Sequence, residues 1–235
     1  MLEKKGVSSS HEQHPDAAMT PKTIHVLFWL LESTLISMPA VNSQTLDTMD
    51  LDNRVDRFLE QHSGAWHDWN VPSVDGRTLH DVIVKHNFTR ALEIGTSTGH
   101  SAIWISKALN RTGGRLITIE IDRGRYEQAL ANFQQAGVTQ LIDARLADAH
   151  RLVYELSGPF DFIFSDADKE WYQQYMEVLL PKLAPGGCFV AHNVNRRRNS
   201  PGIASMLDYA RSQPDLDTTL DSAGAGMSIS CKKQP

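Results

Sequence analysis

The stretch RALEIGTSTGHS, from Arg90 to Ser101, decides how the rest of the chain reads. Ala91 to Ile94 has the length and composition of a buried strand, and Gly99 with the apolar series Ile103, Ile105, Ala108 and Leu109 opens a helix. Strand, glycine loop and helix begin a βαβ unit. Such a loop presents unpaired backbone N–H groups at a helix N-terminus, and glycine admits a ligand where a Cβ would block it. The pattern is Glu93-x-Gly95-x-x-x-Gly99 with Thr96, Ser97 and Thr98 between the glycines, so the glycine that makes room for a pyrophosphate in G-x-G-x-x-G is missing. About twenty residues on, the strand expected over Arg115 to Ile121 carries Glu120 near its end, a carboxylate placed to accept hydrogen bonds from ribose hydroxyls.

Downstream the alternation continues. It predicts a helix over Arg123 to Ala136, a strand over Leu141 to Ala147, a helix over Ala149 to Leu156, a strand over Phe160 to Ser165, a helix over Glu170 to Leu183 and a strand over Cys188 to His192. Strands separated by helices imply a mainly parallel sheet covered on both faces. The tail changes character: a helix at Ile203 to Arg211, then strands at Leu216 to Leu220 and Met227 to Cys231 joined as a hairpin by Asp221 to Gly226. In an open α/β sheet, ligands bind beyond the carboxyl ends of the strands. The loops after Ile94, Glu120, Ala147, Ser165 and Ala191 should line one site.

Upstream, Leu51 to Gln61 carries a helical apolar stripe, and a loop from Gly64 to Gly76 with Trp66, Trp69, Asn70 and Val71 leads into a helix over Arg77 to His86. The two tryptophans are either surface packing or the lid of a small-molecule pocket. Residues 1–45 read as an extension: a polar leader to about Met19, then the apolar stretch Ile24 to Met38. That stretch is taken as a helix capping the domain or making a dimer contact, with a cleaved export signal as the alternative. Its unbroken apolar run, Val26 to Leu31, is far below the ~20 residues that span a bilayer. Residues 46–235 form the second unit.

The chain's 235 residues include 23 basic and 28 acidic ones, a formal net charge of −5, which gives no basic surplus for nucleic acid or anionic lipid. The expected partner is a small hydroxylated molecule. Two cysteines, Cys188 and Cys231, show neither a CxxC pattern nor a His/Cys cluster, and a reducing, cytoplasmic compartment fits.

The glycine loop with the acidic strand end resembles the class I methyltransferases that bind S-adenosylmethionine, whose cofactor has ribose and adenine but no phosphate. The resemblance implies an α/β fold: a doubly wound, mainly parallel, seven-stranded Rossmann-like methyltransferase sheet with a C-terminal antiparallel hairpin. With Ser165-Asp-Ala-Asp-Lys169 after the fourth strand and His192-Asn193 after the fifth, it sharpens to the metal-dependent O-methyltransferases of the catechol and caffeoyl-coenzyme A type. Carried over, the cofactor contacts fall on Asn70, Val71, Glu93, Gly95, Thr96, Ser97, Gly99, Ser101, Glu120, Ile121, Ala147, Asp148, Asp166 and Asp168. The same resemblance makes Asp166, His192 and Asn193 the ligands of a divalent metal (Mg, Mn or Zn), Lys169 the base, and a homodimer the expected assembly.

A neutral phenol is a poor nucleophile, and a cation bound to its oxygen lowers its pKa and orients it. Lys169 would take the proton if burial and the metal depress its own pKa. The departure from the family is His192, where the pattern has an aspartate. Imidazole in place of carboxylate favours borderline ions such as Mn or Zn over Mg. Alternatively no metal binds and His192, with an ordinary pKa of about 6.5, is the base on a single hydroxyl; or it is a hydrogen-bonded strand-end histidine without a chemical role. Read alone, Asp166 is a helix N-cap and Lys169 a surface charge. Arg196, Arg197 and Arg198 are either a solvated face or a clamp for an acidic substrate. A methyltransferase fold that binds the cofactor without catalysis is the competing reading of the whole chain.

Overall fold

In the computed structural model, residues 43–66, 69–195 and 200–234 are described. The leader, the apolar stretch Ile24 to Met38 and the arginines 196–198 lie outside them. Two helices come first, α1 (Ser43–Gln61) and α2 (Ser73–His86). The alternating part follows as β1 (Arg90–Ile94), α3 (His100–Thr112), β2 (Arg115–Glu120), α4 (Arg123–Ala136), β3 (Ile142–Leu146), α5 (Ala149–Glu155), β4 (Phe160–Ser165), α6 (Tyr172–Leu179) and β5 (Leu183–His192). The tail is α7 (Pro201–Ser212), β6 (Leu216–Asp221) and β7 (Met227–Lys232).

The seven strands form one sheet in the order β3-β2-β1-β4-β5-β7-β6. Five are parallel, and β7 enters antiparallel between β5 and β6. The doubly wound sheet with its C-terminal hairpin is the fold expected from the sequence. Its two faces follow the period of two along each strand. Ala91 in β1 and Phe162 and Phe164 in β4 face a core built with α1 to α4, whereas Leu92, Ile94 and Ile163 face a second core built with α5 to α7.

Element boundaries differ from expectation in several places, the first being α1, which begins at Ser43 rather than Leu51. α2 begins at Ser73 rather than Arg77, because Pro72 suits the residue before a first helical turn. That places Asp75 in the helix instead of in the loop. The helix expected over Glu170 to Leu183 is only Tyr172–Leu179, flanked by the 3-10 turns Lys169–Trp171 and Leu180–Lys182, with Pro181 ending the α-helical pattern. β5 then starts five residues earlier than Cys188 suggested.

Cys188 and Cys231 are directly opposed on β5 and β7 and are joined by a disulfide. Nothing in the linear sequence paired them, since the adjacency of β5 and β7 is a matter of topology. Disulfides persist in oxidising compartments, so the bond weighs against the reducing compartment expected from the sequence. Among the described residues, no helix is long and apolar enough to cross a membrane.

Candidate active site

The sheet register brings the predicted loops together. Ile94 pairs with Ile119 on one side and Ser165 on the other, and Ser165 pairs with Ala191. Gly95, Glu120, Asp166 and His192 therefore emerge at one level, around the switch point where the chain leaves β3 and returns to β4 beside β1. The loop backbone is stitched to this level: Asp166 N donates to Ile94 O at 2.9 Å and Gly95 N to Ile119 O at 3.0 Å.

Two cavities open there. The first, of about 440 Å³, is lined by Gly95, Ser97, Glu120, Ile121, Ala147, Asp148, Asp166 and Asp168, and also by Trp69, Arg125, His150 and Tyr175. The second, of about 400 Å³, is lined by Trp69, Asn70, Asp166, Ala167, Asp168, Lys169, His192 and Asn193. They share Trp69, Asp166, Ala167 and Asp168, so a molecule in one abuts a molecule in the other. Among the described non-glycine residues with positive φ, Trp69 (66°), Ser97 (49°) and Asn193 (65°) all lie on these walls. Strain of about 1–3 kcal/mol per such residue is typical of ligand sites.

Five predicted cofactor residues stand behind the wall rather than on it. Val71 is buried in the core of α1 to α4. Thr96 hydrogen-bonds Thr118, which donates to Glu93, and all three are buried beneath the glycine loop. Burial pushes the Glu93 carboxyl up to about 8, against hydrogen bonds from Ser101 and Thr118 and together with the charges of Asp166 and Glu120. Gly99 precedes the first turn of α3, and Ser101 is buried within that turn. These residues support the loop; Asn70 holds it from the other side, its Nδ2 donating to Thr98 Oγ1 at 2.9 Å.

Glu120 is the centre of the first cavity. Its Oε2 accepts from Ser97 N at 2.7 Å and its Oε1 from Ile121 N and Asp122 N at 3.0 and 2.9 Å. These bonds aim the carboxylate while leaving lone pairs for a ribose. Replacing Glu120 with alanine removes charge-assisted acceptors of about 1.5–3 kcal/mol. The expected result is a roughly 10–100-fold weaker Kd for S-adenosylhomocysteine by calorimetry. An unchanged Kd would place the nucleoside elsewhere.

His100 was not singled out in the sequence, yet it ties the Asn70-Val71 segment to α3. Its Nδ1–H donates to Val71 O at 2.8 Å, its Nε2 accepts from Trp104 Nε1 at 3.2 Å, and its ring stacks on Trp66 at 4.4 Å. Only the neutral ring makes both bonds. Burial drives its pKa down to about 4, partly opposed by the Val71 carbonyl. Because the folded value lies below the unfolded one, this contribution is present above about pH 6.5 and is lost as the pH falls towards 4. The loss is on the order of 3 kcal/mol. A His100→Gln variant should show a flatter fall of Tm with acid over that range; identical slopes would dismiss the linkage.

Asp166 is half-buried at the boundary between the cavities. It is not a helix N-cap: that role belongs to Asp168, whose Oδ1 accepts from Glu170 N at 3.1 Å. Lys169 Nζ donates to Asp166 Oδ1 at 2.6 Å and to Ala167 O at 3.2 Å, so Lys169 is no solvated surface charge. His192 Nδ1 lies 3.0 Å from Asp166 Oδ2, and His192 Nε2 lies 2.7 Å from Oδ2 of Asp75. Asp75 is buried in the first turn of α2 and also accepts from Ala225 N, at 3.0 Å, in the β6–β7 loop. No local signal marks it, because its partner lies 117 residues away.

Burial alone would lower the pKa of His192, but its hydrogen bonds to Asp166 and Asp75 and their charges raise it to about 9. Burial alone would likewise raise that of Asp166, yet the hydrogen bond and charge of His192, with Lys169, hold it below its ordinary value. Both ring nitrogens of His192 thus face carboxylates, Asp166 at Nδ1 and Asp75 at Nε2.

The residues do not fit the divalent metal that the resemblance implied on Asp166, His192 and Asn193. A ligating imidazole presents a bare nitrogen, whereas both nitrogens of His192 face carboxylates and both oxygens of Asp166 already accept from Lys169 and His192. Among the described residues, no group of three His, Cys, Asp or Glu side chains is arranged to hold a metal ion.

A family model described as O-methyltransferase matches residues 44–197. The chain belongs to the O-methyltransferase family. The class of S-adenosylmethionine-dependent O-methyltransferases read from the glycine loop and the Asp166-x-x-Lys169 motif is thereby borne out. A catechol O-methyltransferase from Niastella koreensis is 43% identical over 109 residues, which are 45% of this methyltransferase and 49%, about half, of that one. A caffeoyl-CoA O-methyltransferase from Eucalyptus globulus is 32% identical over 169 residues, 68% of each chain. Among solved structures, a Bacillus cereus O-methyltransferase in complex with SAH superposes with a TM-score of 0.68 at 25% identity, over 77% of this methyltransferase and 91% of that one.

Proposed function

We propose that this protein transfers the methyl group of S-adenosylmethionine to a hydroxyl of a small phenol, catechols included, and that Lys169 takes the hydroxyl's proton. The observation that carries the reading is the pair of abutting cavities, one built around Glu120 and the other faced by Lys169, meeting at Asp166. The names of the catechol and caffeoyl-CoA relatives support the acceptor class.

The first cavity fits the cofactor. Glu120 would hold the ribose hydroxyls, Ile121 and Asp148 the adenine side, and Gly95, Asp166 and Asp168 the methionine end. Bound there, the cofactor supplies a methyl on a positively charged sulfur. The acceptor lies between Trp69 and Asn193, with its hydroxyl towards Lys169. With the cofactor bound, Lys169 would take the hydroxyl's proton and leave the acceptor oxygen free to receive the methyl group. Trp69 lines both cavities and is 66% exposed, so it can cover the reacting atoms once they are in place.

The catalytic unit is taken as residues 46–235, with residues 1–45 as an extension and a homodimer as the assembly. The partner is a small molecule, with neither nucleic acid nor membrane engaged. The location is taken as cytoplasmic, with an oxidising one, which the Cys188–Cys231 bond favours, as the alternative.

The test is methyl transfer from labelled S-adenosylmethionine to a panel of phenols and catechols. Labelled methyl ether that requires a free hydroxyl is the expected product. Cofactor binding without turnover of any acceptor would overturn this reading in favour of a binding protein of methyltransferase fold.

A further inference from the structure

We infer that the hydrogen-bonded chain Asp75–His192–Asp166 takes the place of a divalent cation in this site, with the charged ring of His192 as the built-in cation and Asp75 as the residue that holds it. The inference deepens the proposed O-methyltransferase reading and rests on it for the acceptor class. Its basis is a count of donors. Carboxylates only accept, so a ring with one carboxylate 3.0 Å from Nδ1 and another 2.7 Å from Nε2 satisfies both only if both nitrogens carry protons. His192 is 2% exposed and Asp75 is fully buried.

The arrangement is built from three distant parts of the chain. Asp75 comes from the first turn of α2, His192 from the end of β5 and Asp166 from the end of β4. Ala225 N, in the loop before β7, donates to the same Asp75 oxygen as His192 and fixes the carboxylate against the ring. Tyr172 Oη, which reaches Ser165 O at 2.9 Å and His192 O at 3.3 Å, holds the ends of β4 and β5 together. The ring is thus locked at both nitrogens.

Its consequence runs through Asp166 to Lys169. Asp166 Oδ1 lies 2.6 Å from Lys169 Nζ. The His192 ring on the other oxygen of Asp166 faces it as a metal there would, so the carboxylate that orients Lys169 is held from both sides. His192 and Asp75 are positioning residues in this sense; neither needs to touch the acceptor. A locked ring also cannot chelate two adjacent oxygens, so a vicinal diol has no advantage. Phenols with one hydroxyl should be used about as well as catechols.

The decisive measurements use the purified full chain and need no acceptor. Titration with Mn2+ monitored by electron paramagnetic resonance should leave the free-ion signal of the wild type unattenuated, while His192→Asp, which adds a carboxylate between Asp75 and Asp166, should attenuate it. In spectra of histidine-labelled protein, two slowly exchanging downfield ring N–H signals should vanish together in His192→Gln, and one of them should vanish in Asp75→Asn. Stoichiometric Mn2+ binding by the wild type, a single ring N–H, or a His192→Asp variant that ignores Mn2+ would each overturn the inference.

With an acceptor in hand, chelator should leave kcat within about twofold. Asp75→Asn should lower kcat by about 10–100-fold, the usual effect of removing an orienting partner, with KM for S-adenosylmethionine unchanged. Catechol and phenol should differ by less than about tenfold in kcat/KM, the scale of ~1.4 kcal/mol. Chelator-abolished turnover would overturn the inference while leaving the methyltransferase reading intact. Absence of turnover would overturn that reading while the Mn2+ and ring N–H results still decide this one.

Discussion

Replacing Lys169 with alanine is expected to lower kcat by about 10²–10⁴-fold, the range for loss of a positioned acid–base group. The Kd for S-adenosylmethionine should stay within about threefold of the wild type, since Nζ faces the second cavity and Lys169 is not on the wall of the first. The side chain is tightly placed. It starts a 3-10 turn capped by Asp168, donates to Asp166 and Ala167, and lies 4.9 Å from the centre of the Tyr172 ring. The informative comparison is Lys169→Arg. Guanidinium keeps the positive charge beside Asp166 but cannot give up its proton, so this variant should be nearly as slow as Lys169→Ala. If arginine restored wild-type turnover, charge alone would suffice and the base role would fall.

Gly95→Ala is expected to cost several kcal/mol of stability and most of the cofactor affinity. Gly95 has φ +97°, and a Cβ built there would lie 2.8 Å from the carbonyl oxygen of Asp166. Backbone strain of about 1–3 kcal/mol and overpacking of about 1–3 kcal/mol act at once. Nothing flexible can move aside, because the obstructing atom belongs to the backbone of the next strand's loop. Any shift of that loop displaces the Asp166 carboxylate from Lys169 and His192. Gly113 supplies the control: φ is +75°, but a Cβ there meets nothing within 4 Å. Gly113→Ala should cost only about 1 kcal/mol and leave cofactor binding unchanged. Denaturant unfolding and calorimetry with S-adenosylhomocysteine check both variants, and equal effects would show that the contact with Asp166 is unimportant.

The fold was legible because its signals are local. Short, largely apolar runs in Ala91 to Ile94 and Phe160 to Ser165 mark strands buried on both faces, and the glycine loop marks where the first strand turns into α3. Glu120 was legible for the same reason: its place at the end of β2 follows from counting along the strand. The misplaced start of α2 and the split helix before β5 arose where prolines, Pro72 and Pro181, set boundaries that apolar periodicity does not show.

The site was legible as a set of residues but not as an arrangement. Asp166, Lys169, His192 and Asn193 do line one cavity, as their loops required. What His192 does there was not readable, since the sequence shows the residue type and not what faces its two nitrogens. Asp75 was missed because its meaning comes from the packing of α2 over the end of β5. The Cys188–Cys231 bond was missed because β7 enters the sheet beside β5 instead of extending past β6.

The order of strands and helices along the chain, the glycine loop and the carboxylate at the end of β2 were therefore determined by the sequence itself, because each depends on neighbours a few residues apart. What faces the two nitrogens of His192 was decided only by the tertiary structure. Hydrogen bonds from one buried ring to carboxylates 26 and 117 residues away exist only once β4, β5 and α2 have packed.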